Sequence, residues 1–398
     1  MNVAIVGGGP AGLRAAEVAA AGGVSVTVFD AKPSVGRKFL VAGRGGLNLT
    51  NGEPREGFAQ RYGEPNERWD SLLGEFDSEA LRTWAATLGV ETFVAKTGRV
   101  YPREMKSAPL LRRWVQRLRD AGVGFAMNHR WIGLRRDDQL ALDFETANGR
   151  VTAKADAVVL ALGGGSWPQT GSDGTWVPVL SRLGVQVAPL QPANCGWETA
   201  WPEPVLILAE GKPLKNIVAR AGSAEAVGEL LVTRYGLEGG AIYQLGPAFR
   251  EMPKATIIID FKPSFTIEQL VAKLGPVRRN LLPEARVRWK LSDAAFAIMR
   301  ASADERLFAS AADVAAAAKN CAVRLSRPRP LAEAISSAGG VLWKELNDAL
   351  MIRRISGVFV SGEMIDWEAP TGGYLIQGCF ATGTRAGRGA LEWARSHS

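Results

Sequence analysis

The chain has 398 residues, 46% of them hydrophobic and 22% charged, a composition that excludes a disordered tract and exceeds one compact core, so two or three domains are expected. Forty-eight basic residues against 40 acidic ones leave a net charge of +8, which permits an anionic partner such as RNA or a phosphorylated substrate. The 3 cysteines, Cys195, Cys321 and Cys379, have no metal-ligand spacing and an odd count, which argues against a disulfide framework.

Residues 2–30 read as strand, glycine turn, helix and strand. Asn2 to Val6 is an apolar run, as befits a parallel strand covered on both faces. No charged and apolar leader precedes it, and no uncharged apolar run reaches about 18 residues. A cytoplasmic protein with no membrane contact is therefore expected. Gly7, Gly9 and Gly12 follow with Gly-x-Gly-x-x-Gly spacing, and Pro10 and Ala11 open an Ala-rich helix over 13–21. In such a turn the first glycine permits the bend, the second lets backbone approach a pyrophosphate, and the third lets helix and strand close up. The helix N-terminus adds free N–H donors and a positive dipole end. The next strand, Ser25 to Phe29, ends in Asp30, an acceptor for a ribose hydroxyl. The turn and Asp30 together predict a dinucleotide, with FAD and NAD both open.

Residues 31–52 read as a long irregular loop rich in Gly, Lys and Arg, and a loop of that length inside a domain is usually functional. Helices are expected over 66–89 and 107–121. Strands are expected over 123–134, 140–146 and 155–162, the last followed by Gly163, Gly164 and Gly165. From about 187 to 262 short strands with Pro and Gly punctuation predict a small β-domain, with strands at 204–208, 228–233 and 255–260. Residues 265–318 read as helical, with caps at Thr266, Ser292 and Ser310. Strand and glycine return at 338–341 and 357–362, and a helix over about 381–395 closes the chain.

The C-terminal segment decides between the two dinucleotides. Gly362 and Glu363 end a strand, Asp366 follows, and Thr371-Gly372-Gly373-Tyr374 forms a glycine turn before a helix. A carboxylate there can reach a ribityl chain and the helix N-terminus can face a flavin, which a nicotinamide dehydrogenase does not need. This predicts FAD. The lack of a second glycine fingerprint leaves the electron donor as a transient NAD(P)H, another protein or the substrate.

The segment Gly36-Arg-Lys-Phe-Leu-Val-Ala-Gly-Arg-Gly-Gly-Leu-Asn-Leu-Thr-Asn51, the run Gly164 to Gly174, and the Gly362-Glu363, Asp366 and Thr371 to Tyr374 elements occur in this order. In these motifs the chain resembles the BaiN/YhiN-type family of bacterial flavoproteins, NAD(P)/FAD-dependent oxidoreductases. It departs from that pattern at Leu47, where relatives carry Cys. The resemblance implies an α/β fold: a Rossmann-like FAD-binding domain (1–187 and 331–398), an inserted β-barrel-like domain (188–263 and 321–330) and a helical insertion (264–320). It also extends the cofactor-binding set to Ala31, Lys38, Gly43, Arg44, Gly45, Gly46, Leu47, Asn48, Trp131, Ala161 and Leu375. Tyr374 and Asn48 are the candidate catalytic residues. Cys379 reads as a small core residue. With only 2 histidines, a His-based acid–base mechanism is not expected.

Three functions are open at this point. One is an enzyme acting on a small molecule, reducing a conjugated double bond or oxidising an amine. Another is an RNA-modifying enzyme that reduces a uridine of ribosomal RNA to dihydrouridine, held through the Arg clusters at 278–290 and 324–329. The third is a non-catalytic flavin-binding redox module.

Overall fold

The computed structural model describes residues 1–43, 45–63, 66–136, 139–277, 279–302 and 308–397. Arg44 and Arg278 lie outside them. The backbone forms two units, Met1–Gln191 with Ser336–Ser398 and Pro192–Ile335.

The first unit is built on a five-stranded sheet of order Val358–Val360, Ala157–Leu160, Asn2–Val6, Ser25–Asp30, Gly124–Met127. Each neighbouring pair in it is parallel. The strand at Asn2–Val6 is central and nearly all apolar, because both of its faces are covered. A helix at Pro10–Ala21 and the closing helix at Tyr374–Ser396 pack on the sheet and on each other. Small residues make that approach possible. A Cβ on Gly383 would lie 2.4 Å from the Ala11 carbonyl oxygen, and one on Gly387 would lie 2.7 Å from that of Ala15.

Two three-stranded antiparallel sheets also belong to this unit. One joins Arg130–Arg136, Leu140–Thr146 and Gly149–Ala155. The other joins Thr50–Asn51, Arg99–Pro102 and Thr92–Val94, so the 31–52 loop is more ordered than expected. It also contains a short helix, Arg37–Ala42. The strand expected over 123–134 is broken at Asn128, whose φ of 59° turns the chain into the second strand.

The second unit carries a six-stranded antiparallel sheet that starts at Trp197–Glu198 and ends at Cys321–Arg324. Its two edges meet: Glu198 N–H donates to Arg327 O, Ser326 N–H to Glu198 O and Arg329 N–H to Gly196 O, each at 2.8 Å. A β-barrel results, since no strand edge is left open on that side. Four helices, from Ile267–Leu274 to Ala311–Lys319, share its apolar core. Thr266 and Ser310 each close a reciprocal capping box, and the Ser292 hydroxyl accepts the Ala295 N–H, as their sequence positions predict.

Two expectations are corrected. Residues 204–208 are not a strand but part of a helix, Glu203–Ala209, with Pro204 in its first turn, a position where a missing N–H costs nothing. The closing helix starts at Tyr374, well before 381. Among the described residues no helix is long and apolar enough to cross a membrane.

Candidate functional site

The glycine turn leaves the central strand with Gly7 at φ 110°. A Cβ there would lie 2.2 Å from the Ala161 carbonyl oxygen, so no side chain fits. Gly12 is equally constrained, its would-be Cβ lying 1.9 Å from the Gly7 carbonyl oxygen. Gly9 differs. It precedes the helix with extended backbone, and a Cβ on it would meet nothing within 4 Å. Its open side faces a cavity.

That cavity lies wholly in the first unit. Of the residues expected from sequence, Gly7, Gly9, Pro10, Ala11, Asp30, Ala31, Lys38, Ala161, Gly163, Gly362 and Glu363 line it. Both ends of the chain thus contribute to one wall system. Gly12 stands behind the wall as a packing residue. Gly43, Gly45, Gly46, Leu47, Asn48, Trp131, Gly164, Asp366, Gly372, Gly373, Tyr374 and Leu375 are not on its lining. Leu47 and Trp131 belong to the apolar core. Gly164 backs onto Ser337, and Asp366 accepts the Gly339 N–H.

Asp30 is fixed in place by two backbone donors, Gly8 N–H to Oδ2 and Lys32 N–H to Oδ1, both at 2.8 Å. Burial raises its pKa against the pull of these two bonds. Each oxygen keeps a lone pair for a further donor. On the opposite wall Lys38 donates to the Glu363 carboxylate and to the Ser166 hydroxyl, both at 2.7 Å. The pair joins the helix of the long loop to the C-terminal strand.

Sequence reasoning missed Ser172 and Ser361. Both line the cavity, and both hydroxyls are buried with no hydrogen-bond partner. A buried polar atom without a partner costs about 1–3 kcal/mol. The amide oxygen of Asn48 is unsatisfied in the same way. Unmet donors and acceptors on a cavity wall fit a polar ligand that supplies the missing partners. The free N–H groups after Gly9, the clear space at Gly9, and Asp30 suit a dinucleotide. Ser172 lies within the Gly164 to Gly174 run and Ser361 directly before Gly362-Glu363, so these motifs were the signal that could have found them. Cys379 also faces the cavity, and burial pushes its thiol up to about 12, so it is a neutral wall residue.

A second polar group sits at the head of the closing helix. Gly373 caps it with φ 99°, because Thr50 backbone lies against it. The Tyr374 ring packs edge-on against Phe58 with centroids 5.0 Å apart, and the Tyr62 hydroxyl donates to the Tyr374 carbonyl at 2.7 Å. The Tyr374 phenol lies within electrostatic reach of the Glu53 carboxylate. Arg61 grips the same carboxylate with two N–H groups, at 3.0 and 2.8 Å. Burial first, and then Glu53, hold the Tyr374 phenol well above its ordinary range.

Several members of the Arg clusters are ion-paired. Arg286 pairs with Asp293, Arg288 with Glu284, and Arg327 and Arg329 both with Glu198.

The profile of the HI0933-like protein Rossmann domain family matches residues 1–389. The chain is 27% identical over 413 aligned positions to a 3-dehydro-bile acid delta(4,6)-reductase of Clostridium scindens, covering 98% of this chain and 99% of that one. It is 22% identical to a ribosomal RNA dihydrouridine synthase of Escherichia coli strain K12, with 94% of each chain covered. Among solved structures it resembles 3-ketosteroid-delta4-(5alpha)-dehydrogenase from Rhodococcus jostii RHA1, with a TM-score of 0.54, 18% identity, and 98% and 96% of the two chains covered. That last likeness is one of fold. The departure at Leu47 leaves the family match intact, and the reading as a non-catalytic module is set aside. The chain belongs to the HI0933-like Rossmann family, and it is an FAD-dependent oxidoreductase.

Proposed function

We propose that the chain exchanges hydride between FAD and a carbon–carbon bond next to a carbonyl group in a small molecule, interconverting the saturated ketone and the conjugated enone. The observation that carries this is the cavity under the glycine turn, with Asp30 and the unpartnered Ser172 and Ser361 hydroxyls on its wall, which suits FAD, while Tyr374 at the head of the closing helix is the candidate proton donor that such chemistry needs beside each hydride. One of the two relatives above is a 3-dehydro-bile acid delta(4,6)-reductase and the other a ribosomal RNA dihydrouridine synthase, which supports a reductive reaction.

Bound FAD supplies the hydride exchange. Toward it, the amides of Ala11 and Gly12 would hold the pyrophosphate and Asp30 the adenosine ribose. Ser172, Ser361 and the Lys38–Glu363 pair would hold the middle of the cofactor. The turn from Thr371 to Leu375, with Gly45 and Asn48 of the long loop, would meet the flavin ring.

Two measurements check this. Photoreduced holoprotein, mixed without oxygen with a panel of enones that includes 4-androstene-3,17-dione, should regain its oxidised flavin spectrum. A panel in which no enone restores the spectrum, while oxygen does, contradicts the reading. The second concerns the serines. The Ser172→Ala, Ser361→Ala protein should lose an unmet polar cost without cofactor, so its cofactor-free Tm stays level or rises. Its FAD should dissociate roughly 30-fold more readily, about 1 kcal/mol for each of the two bonds lost. Unchanged retention removes both hydroxyls from the site.

RNA as the substrate has less support. Phosphate contacts need available cations, and Arg286, Arg288, Arg327 and Arg329 are already paired. Tight RNA binding that weakens steeply with salt would restore it.

A further inference from the structure

Three tryptophans of the first unit form a continuous line that starts behind the cavity wall. The Trp367 indole N–H donates to the Gly362 carbonyl at 2.8 Å, and Gly362 lines the cavity. The Trp367 ring is thus one backbone group away from the cofactor space. It meets the Trp69 ring edge-on with centroids 5.1 Å apart, and Trp69 meets the Trp343 ring in the same way at 5.8 Å. Trp367 and Trp69 are buried, while Trp343 is only partly buried. The line therefore runs from the cavity wall through the core to the surface. Edge-on contact is ordinary core packing. The N–H groups add something to it. Those of Trp69 and Trp343 are buried with no hydrogen-bond partner, and that of Trp367 ends on a carbonyl. An indole that has lost an electron is a strong acid. With no base beside it, it keeps its proton, and the positive charge stays free to pass to the next ring. Tyr62 stacks on Trp69 at 3.9 Å, but its hydroxyl also ends on a carbonyl. A phenol gives up an electron readily only when a base takes its proton, so Tyr62 does not trap the charge.

We infer that Trp367, Trp69 and Trp343 are an electron conduit between the FAD site and the surface, through which an external thiol replaces an electron taken by light-excited FAD. This goes beyond the substrate chemistry proposed above and does not depend on it, since it needs only FAD in the cavity. Electron transfer crosses a short stretch of bonded atoms without contact, so Trp367 has no need to line the cavity itself. Ground-state flavin is too weak an oxidant to take an electron from an indole, so the conduit is silent in the dark.

Excited FAD takes one electron from Trp367. Trp69 refills Trp367, Trp343 refills Trp69, and a thiol refills Trp343 at the surface. Two such events convert FAD and two thiols into reduced FAD and one disulfide, the two thiol protons ending on the flavin by way of solvent. Arg68 opposes the last hop. Its guanidinium lies 5.6 Å over the Trp343 ring, and a cation there favours the neutral ring over a positively charged one.

The test uses FAD-loaded protein without oxygen, a blue laser flash, and dithiothreitol as the thiol. Transient absorption of the wild type should show an oxidised tryptophan that outlives the flash and disappears faster as dithiothreitol is raised. Steady blue light should then bleach the flavin. Trp343→Phe should lose both the long-lived radical and the thiol-dependent bleaching, because the charge stranded on Trp69 returns to the flavin. Trp69→Phe should lose them too, by cutting the line. Trp393→Phe, whose ring stacks on His397 and not on the line, should behave as wild type. Arg68→Gln leaves every ring in place and should raise the yield of long-lived radical. A wild type that forms no long-lived radical, or a Trp343→Phe protein with an undiminished one, overturns the conduit. An Arg68→Gln yield no higher than wild type removes Trp343 as its outer end, a result that stands even where Trp69→Phe does not fold. None of these readouts uses an enone or a ketone, so failure of the proposed substrate chemistry leaves them unmoved.

Discussion

Gly9→Val should purify as a folded protein without yellow colour. The position accepts a side chain as far as the protein is concerned: a Cβ meets nothing within 4 Å, and the backbone is extended, which suits a β-branched residue. The loss to stability is the poorer helix N-cap, about 1 kcal/mol. What the valine does fill is the cavity beside the free N–H groups of Ala11 and Gly12. A pyrophosphate held there by backbone donors cannot share that space, and the cofactor should be lost nearly completely. Circular dichroism and a Tm near that of cofactor-free wild type would show the fold intact, with no flavin absorbance even after FAD is added. A yellow Gly9→Val protein with normal stoichiometry would move the pyrophosphate elsewhere.

Gly12→Ala should fail in the opposite way. One methyl group placed 1.9 Å from the Gly7 carbonyl oxygen, with the Ala161 Cβ only 3.2 Å away, overlaps backbone, and the helix must move off the central strand. The same helix carries Ala11 and Ala15 against Gly383 and Gly387, so that movement opens the contact with the closing helix as well. Overpacking of this kind costs about 3 kcal/mol, a large part of the stability of a natural domain. The expected result is poor soluble yield, or a fall in urea midpoint that excess FAD only partly reverses. A Gly12→Ala protein as stable as wild type would mean that the turn is wider than described. The two glycines, three residues apart, thus do separable work: one leaves room for the ligand and the other leaves room for the helix.

Much of the first unit was legible in the sequence because its signals are local. Buried parallel strands read as short apolar runs, and the glycine turn, Asp30 and the Gly362-Glu363 segment each carry their own pattern. The cavity residues drawn from these motifs do assemble on one lining. The closing helix was read too short for a physical reason. Gly378, Gly383, Gly387 and Gly389 dilute its helical pattern, yet each lies where a Cβ would strike a neighbour within about 3 Å. Residues 204–208 failed for another reason, since a short apolar run fits a strand or one buried turn of helix equally. Ser172, inside the Gly164 to Gly174 run, and Ser361, just before Gly362-Glu363, were passed over although both motifs were recognised, because a sequence does not show which motif side chains face a cavity. Glu53 and Arg61 lie outside every motif, and only the fold brings them to Tyr374. For the basic clusters, a sequence shows the arginines without showing the carboxylates that pair with some of them.

A crystal structure of the FAD-loaded protein tests the central claim most directly. The adenosine ribose should be hydrogen-bonded to Asp30, the pyrophosphate should sit on the amides of Ala11 and Gly12, both orphaned serine hydroxyls should be satisfied, and the flavin ring should lie at the turn from Thr371 to Leu375. A flavin ring against Asp30, or a cofactor that leaves Ser172 and Ser361 unpaired, would contradict it.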